Sequence, residues 1–137
     1  MQTIITYLTL LLTGLFMHGQ NTIEVSMSGF DNNDGTAMIA LYDSAESFLE
    51  KRLLGKISKI ENNEAKVIFS DVPDGIYAIS VVHDEDENGR LNMVMGFYPS
   101  EASGASNNAP ANFGPPKWEE AKFGVKNGQL VKQNIKL

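Results

Sequence analysis

The stretch best equipped for chemistry is His83-Asp84-Glu85-Asp86-Glu87-Asn88-Gly89-Arg90-Leu91-Asn92. From Asp84 it reads D-x-D-x-N-G-x-L-N. Oxygen-bearing side chains fall on alternate residues, and glycine takes the sixth place. A short loop wraps a hard cation such as Ca²⁺ in this way: alternate side chains turn inward and glycine permits the sharp bend. Asp84, Asp86 and Asn88 would supply side-chain oxygens. Arg90 would supply its backbone carbonyl, and Asn92 an oxygen directly or through water. A complete loop of this kind ends on a bidentate Glu at its twelfth place, which here is Met95. The set is therefore incomplete, and further waters or another carboxylate are needed. Two other readings stand beside calcium. One is a solvated acidic turn in which Gly89 serves backbone geometry alone. The other is magnesium or a transition metal.

His83 precedes this loop. It and His18 are the two histidines of the chain. A catalytic histidine needs a partner, and a zinc enzyme usually offers several nitrogen or thiolate ligands. The plain expectation is that His83 ends a strand and hydrogen-bonds to loop backbone or to a carboxylate. No serine sits in a G-x-S-x-G elbow. Ser103-Gly104 and Ser106 lie in a long loop with no paired base in sequence.

What positions these residues is one small domain. Ile4 to Met17 is largely apolar and carries no charged side chain. It is too short for a membrane span and fits the apolar part of a signal peptide, although no Lys or Arg precedes it. Cleavage is expected after Gly19 or Gln20; a retained N-terminal anchor and a buried core helix are the alternatives. The expected organisation is a leader over 1–19 and a β-sandwich over 20–137, in the periplasm or the extracellular medium. No Cys is present, so disulfides, thiolate sites and lipid attachment to cysteine are excluded. The formal net charge of −6 and the scattered lysines argue against a nucleic-acid partner, which needs a basic face.

Beyond the leader, strand-like runs alternate with turn signals, the pattern of an all-β sandwich. Thr22 to Phe30 alternates, with Ile23, Val25 and Met27 on one side and Glu24, Ser26 and Ser28 on the other. Asp31-Asn32-Asn33-Asp34-Gly35 is a turn, and Thr36 to Tyr42 reads as a central strand, so the two runs suggest a hairpin. Asp43 to Glu50 reads as one or two turns of helix, with Ser44 suited to cap them, or as an irregular loop. Weaker runs follow at 53–60 and 65–69, parted by Glu61-Asn62-Asn63-Glu64. Pro73 and Gly75 turn the chain into the run that ends at Val82. Residues 96–118 form a long loop rich in Gly, Ala, Ser, Asn and Pro. Such a loop is usually functional or disordered. Phe97, Tyr98, Phe113 and Trp118 either stack on a partner or pin the loop to the sheet. Ala121 to Val125 and Leu130 to Leu137 suggest a closing hairpin around Asn127-Gly128.

Several phrases taken together resemble a known family. They are Phe69-x-x-Val72-Pro73-x-Gly75-x-Tyr77-Ala78, His83-Asp84 with Asn88-Gly89 and Leu91, Ser106-Asn107-Asn108, and Phe113-Gly114-Pro115-Pro116. In this order they resemble the bacterial family called domain of unknown function 2141, over roughly 22–137. The resemblance implies an exported single-domain β-sandwich, prealbumin-like or immunoglobulin-like; the runs themselves suggest a single antiparallel β-sandwich of about seven strands with one long ordered loop. It implies no activity or catalytic residue. Asn92 stands where that pattern often has Asp, which lowers the charge offered to a cation.

The expected function is that of an exported, non-enzymatic domain. It would bind Ca²⁺ in the Asp84–Asn92 loop and an unidentified protein or glycan through residues 96–118. A small envelope hydrolase using His83 with loop carboxylates is the competing expectation. A self-associating structural protein, with Thr22 to Phe30 as an open edge strand, is the third.

Overall fold

The computed structural model describes residues 21–87, 102–111 and 114–137, and the backbone of 93–94 and 98–99. The expected leader over 1–19 lies outside the described residues. Among the described residues, ten strands run in chain order: β1 Asn21–Ser28, β2 Thr36–Tyr42, β3 Leu54–Lys59, β4 Ala65–Val72, β5 Gly75–Asp84, β6 Met93–Val94, β7 Tyr98–Pro99, β8 Ser103–Ala105, β9 Phe123–Val125 and β10 Leu130–Lys136. A 3₁₀ turn covers Ser106–Asn108, and one short helix, α1, covers Trp118–Ala121.

The chain is all-β and its main strands form two sheets. The smaller has the order β10-β1-β4. The larger has the order β3-β2-β5-β8, with β9 also pairing with β5. That makes eight strands in the two sheets, one more than the sequence suggests. The reason lies on β5, whose one side is shared by two short partners. Gly75–Tyr77 pair with β9, and Ser80–Val82 pair with β8. Nor is the arrangement wholly antiparallel, because β1 and β10 run parallel. A parallel pair needs a long crossover, and nearly the whole domain lies between these two strands.

Side-chain alternation along the strands builds the core. Ile23, Val25 and Met27 of β1 face inward with Phe69 of β4 and Ile135 of β10. Ile39 and Leu41 of β2 and Ile79 and Val81 of β5 face them from the larger sheet. Burying each such side chain contributes about 1.5–3 kcal/mol. The outer face of the larger sheet carries a second cluster. Tyr42 meets Phe48 edge-on at 5.3 Å, and Phe48 meets Trp118 at 5.9 Å. Ser44 makes the expected turn, accepting at Oγ from the Ser47 amide (3.2 Å) and at its carbonyl from the Phe48 amide (3.1 Å).

Neither expected hairpin forms. After β1 the chain passes Gly29 in the left-handed region (φ 83°) and buries Phe30, 3% exposed. It then crosses to the larger sheet, so Asp31–Gly35 is a crossover. Asn127 and Gly128 do adopt positive φ, 60° and 69°. The turn they make leads from β9 in one sheet to β10 in the other. Thr22 to Phe30 is not an edge either: β1 lies between β10 and β4. An edge of the larger sheet is β3, where Ile57 is 69% exposed.

Candidate functional site

β5 delivers the histidine. Its inward row is Tyr77, Ile79, Val81 and His83, so His83 occupies a core position and is fully buried. It pairs with Ala37 across the ladder, and its backbone amide donates to the Ala102 carbonyl (2.9 Å). The Phe30 ring stands edge-on to the imidazole at 5.2 Å. Nε2 lies 2.7 Å from the carbonyl oxygen of Asp34. A carbonyl only accepts, so Nε2 carries the hydrogen and donates it. The sequence expectation that His83 bonds to loop backbone is met. The backbone belongs to the β1–β2 crossover and not to the acidic loop.

The other ring nitrogen is different. Nδ1 is buried and has no hydrogen-bond partner among the described residues. Oε1 of the Glu85 carboxylate lies 3.7 Å from it. The Glu85 side chain is 43% exposed, so one end of this pair is dry and the other is wet.

Asp84 is the last residue of β5 and lies opposite Thr36. Its side belongs to the outward row with Ser80 and Val82, yet it is only 2% exposed. The crossover packs closely on it. A Cβ on Gly35 would lie 2.0 Å from the Asp84 carbonyl oxygen, and Gly35 has φ +69°. Glycine is therefore required where the crossover meets the strand end. Asp86 is exposed in the turn that follows, and the Glu87 amide donates to the Asp84 carbonyl at 3.4 Å. Asp84, Glu85 and Asp86 each make further contacts. Of the five proposed ligands, Asp84 and Asp86 are thus placed at one strand tip. Asn88, Arg90 and Asn92 lie outside the described residues. Among the described residues, no group of three or more His, Cys, Asp or Glu gathers as a metal cluster.

The loop expected to bind a partner divides in two. Residues 106–108 are committed to structure. Ser106 Oγ accepts from the Ile79 amide (2.9 Å) and donates to the Ala121 carbonyl (2.6 Å). Asn107 exchanges bonds with the Gln133 side chain: its amide donates to Oε1 (2.9 Å) and its Oδ1 accepts from Nε2 (3.1 Å). Asn108 holds the edge of β10, donating to the Asn134 carbonyl (3.2 Å) and accepting from the Lys136 amide (2.9 Å). Trp118 packs against Phe48, as the pinning reading expects. Pro110, Ala111 and Pro115 to Lys117 are mostly exposed. Phe97 and Phe113 lie outside the described residues.

A groove of about 700 Å³ opens beside Ser58, Lys59, Glu61, Asn62 and Lys66. It shares no residue with the acidic loop, so it provides no chamber for His83. Among the described residues no helix is long and apolar enough to cross a membrane.

The sequence reading missed the role of Asp34 and Gly35 at this tip. The Asp-Gly pair was visible, but it reads equally well as a hairpin turn. The structural task of Asn107 and Asn108 was also missed. Their positive φ values, 58° and 49°, suit asparagine, but no local pattern announces their distant partners.

A family model described as "Uncharacterized protein conserved in bacteria (DUF2141)" matches residues 25–133. No curated protein and no solved structure matches the chain.

Proposed function

We propose, from the premise that the chain belongs to this family of uncharacterised bacterial proteins, that it is an exported binding domain and not an enzyme. The observation that carries this reading is the state of His83. A general base must reach the proton it removes. His83 is fully buried, and its Nε2 is occupied by the Asp34 carbonyl. Ser106 is likewise spent, with its hydroxyl between the Ile79 amide and the Ala121 carbonyl. Both arrangements speak for scaffolding over the hydrolase reading. Turnover of any substrate by the purified domain, lost in His83→Ala, is the result that would reverse this.

Of the two sandwich kinds, the prealbumin-like one fits better. An immunoglobulin constant-type domain keeps its first two strands in one sheet. Here β1 and β2 lie in different sheets.

The acidic tip holds Ca²⁺ in this reading, with Asp84 and Asp86 as the described members of the set and Asn88, Arg90 and Asn92 completing it. The support is placement: one carboxylate at the strand end and one in the turn that follows. A bound ion stabilises the folded state by mass action, by about 2.7 kcal/mol at a hundred times its dissociation constant. Calcium should therefore raise the melting temperature, and Asp86→Ala should abolish the rise. Identical melting curves in millimolar calcium and in chelator would remove calcium from the proposal. The unidentified protein or glycan partner is assigned to the exposed part of the long loop, around Pro110 and Pro115 to Lys117.

A further inference from the structure

We propose a second cation site at the same strand tip, formed by His83 Nδ1 and Glu85 and selective for a divalent transition metal of the zinc kind. It does not rest on the calcium reading. Asp84 lies on the outward row of β5, while His83 lies on the inward row.

The argument starts from the hydrogen bond at Nε2. Because Asp34 offers a carbonyl, Nε2 must donate, and that fixes the tautomer. In the neutral ring Nδ1 then presents a bare lone pair. It is buried, with no hydrogen-bond partner among the described residues. It faces a carboxylate oxygen at 3.7 Å. A cation lying between the two acceptors would be held by both. The gap is too long for a direct hydrogen bond. It suits a shared cation: zinc bonds of about 2.0–2.1 Å to imidazole and about 2.0–2.2 Å to carboxylate reach across it at an open angle.

The outer support is already in place. A ligating histidine almost always donates its other N–H to a carbonyl or a carboxylate, which orients the ring. Asp34 does this for His83, and the edge-on Phe30 ring packs against the imidazole. The half-exposed Glu85 gives the cation a way in from solvent. No third His, Cys, Asp or Glu joins the pair among the described residues, so water completes the coordination. Calcium is the wrong ion here, because it takes oxygen ligands, whereas imidazole suits zinc, copper, iron and nickel.

The test uses the full chain carrying His18→Gln, which leaves His83 as its single imidazole. Zinc chloride is titrated at neutral pH while imidazole ¹⁵N resonances are followed. Before metal, Nδ1 should resonate as a bare nitrogen and Nε2 as a protonated one. Zinc should move Nδ1 saturably at one equivalent, leave Nε2–H in place, and resist a hundredfold excess of calcium. Glu85→Gln, at a half-exposed position that tolerates change, should weaken binding at least about tenfold. The proposal is overturned by a resonance that zinc does not move or by equal affinity in Glu85→Gln. Displacement by calcium overturns it too, since oxygens alone would then hold the ion. So does an Nδ1 that already carries a proton without metal, since an ion pair to Glu85 would then explain the geometry. The calcium reading is judged separately, by the melting temperature of Asp86→Ala.

Discussion

Ser106 shows how one hydroxyl can stand in for a strand. β5 stays paired with β2 at Ile79, but its pairing with β9 ends at Tyr77 and that with β8 starts at Ser80, so Ile79 falls in the break between them. Ser106 Oγ takes the Ile79 amide and passes its own hydrogen to Ala121, which ties α1 to the sheet. Ser106→Ala leaves a buried amide unpaired and should cost about 1–3 kcal/mol, read as a lower urea midpoint with an unchanged slope. Ser106→Thr keeps the hydroxyl but adds a methyl in a fully buried place, so it should not restore full stability. A drop in Ser106→Ala no larger than that of an exposed serine would deny the residue this role. The phrase Ser106-Asn107-Asn108 was legible as part of a family pattern, but its purpose was not. The partners lie 27, 15 and 26 residues away, and no local spacing encodes them.

At the level of elements, strand positions are legible in the sequence and strand pairing is not. The alternation of Ile23, Val25 and Met27 is set by period and burial alone, and it stands as read. Asn127-Gly128 is a true turn and Asp31–Gly35 a run of bends, yet neither dictates whether the next strand stays in its sheet. Burial of Phe30 and Ile135 between the layers decides that, and it depends on the whole core. At the tip, the end of the strand at His83-Asp84 was legible, while the Asp34 carbonyl that fixes the ring was not. The outer face of the smaller sheet carries a testable consequence. Glu24 on β1 lies between Lys66 of β4 (2.7 Å) and Lys132 of β10 (3.9 Å). The Lys66 hydrogen bond, helped by the charges of both lysines, holds the Glu24 carboxyl below its ordinary value against an opposing push from desolvation. A carboxyl with a lowered folded value stabilises above its unfolded value and loses that contribution as pH falls through the folded one. Glu24→Gln should therefore lower stability at neutral pH and narrow its difference from wild type in acid. A difference that stays constant across that range in urea unfolding would show that the three-strand charge line does nothing.

For the molecule as a whole, the closing device is the parallel pairing of β1 and β10, the first and last of the described strands. With no cysteine to staple the ends, β10 must be held by its own packing. Its register against β1 runs from Thr22 opposite Leu130 to Ser28 opposite Lys136. The Leu137 amide adds a bond to the Ser28 carbonyl (2.9 Å). Within β10, burial is concentrated at Gln133 and Ile135, while Leu130 is 58% exposed. Ile135 also reaches the other sheet: a Cβ on Gly104 of β8 would lie 2.8 Å from its Cγ2. Ile135 and Leu130, on the same strand, thus make opposite predictions. Ile135→Ala should cost about 2–5 kcal/mol through lost burial and the cavity it leaves. Leu130→Ala should stay within about 0.5 kcal/mol, as surface changes do. For a domain stable by about 5–15 kcal/mol the first change removes a large fraction of the total, so thermal unfolding separates the two clearly. Similar melting points for both variants would mean that β10 only decorates the edge of β1 and that the core closes without it.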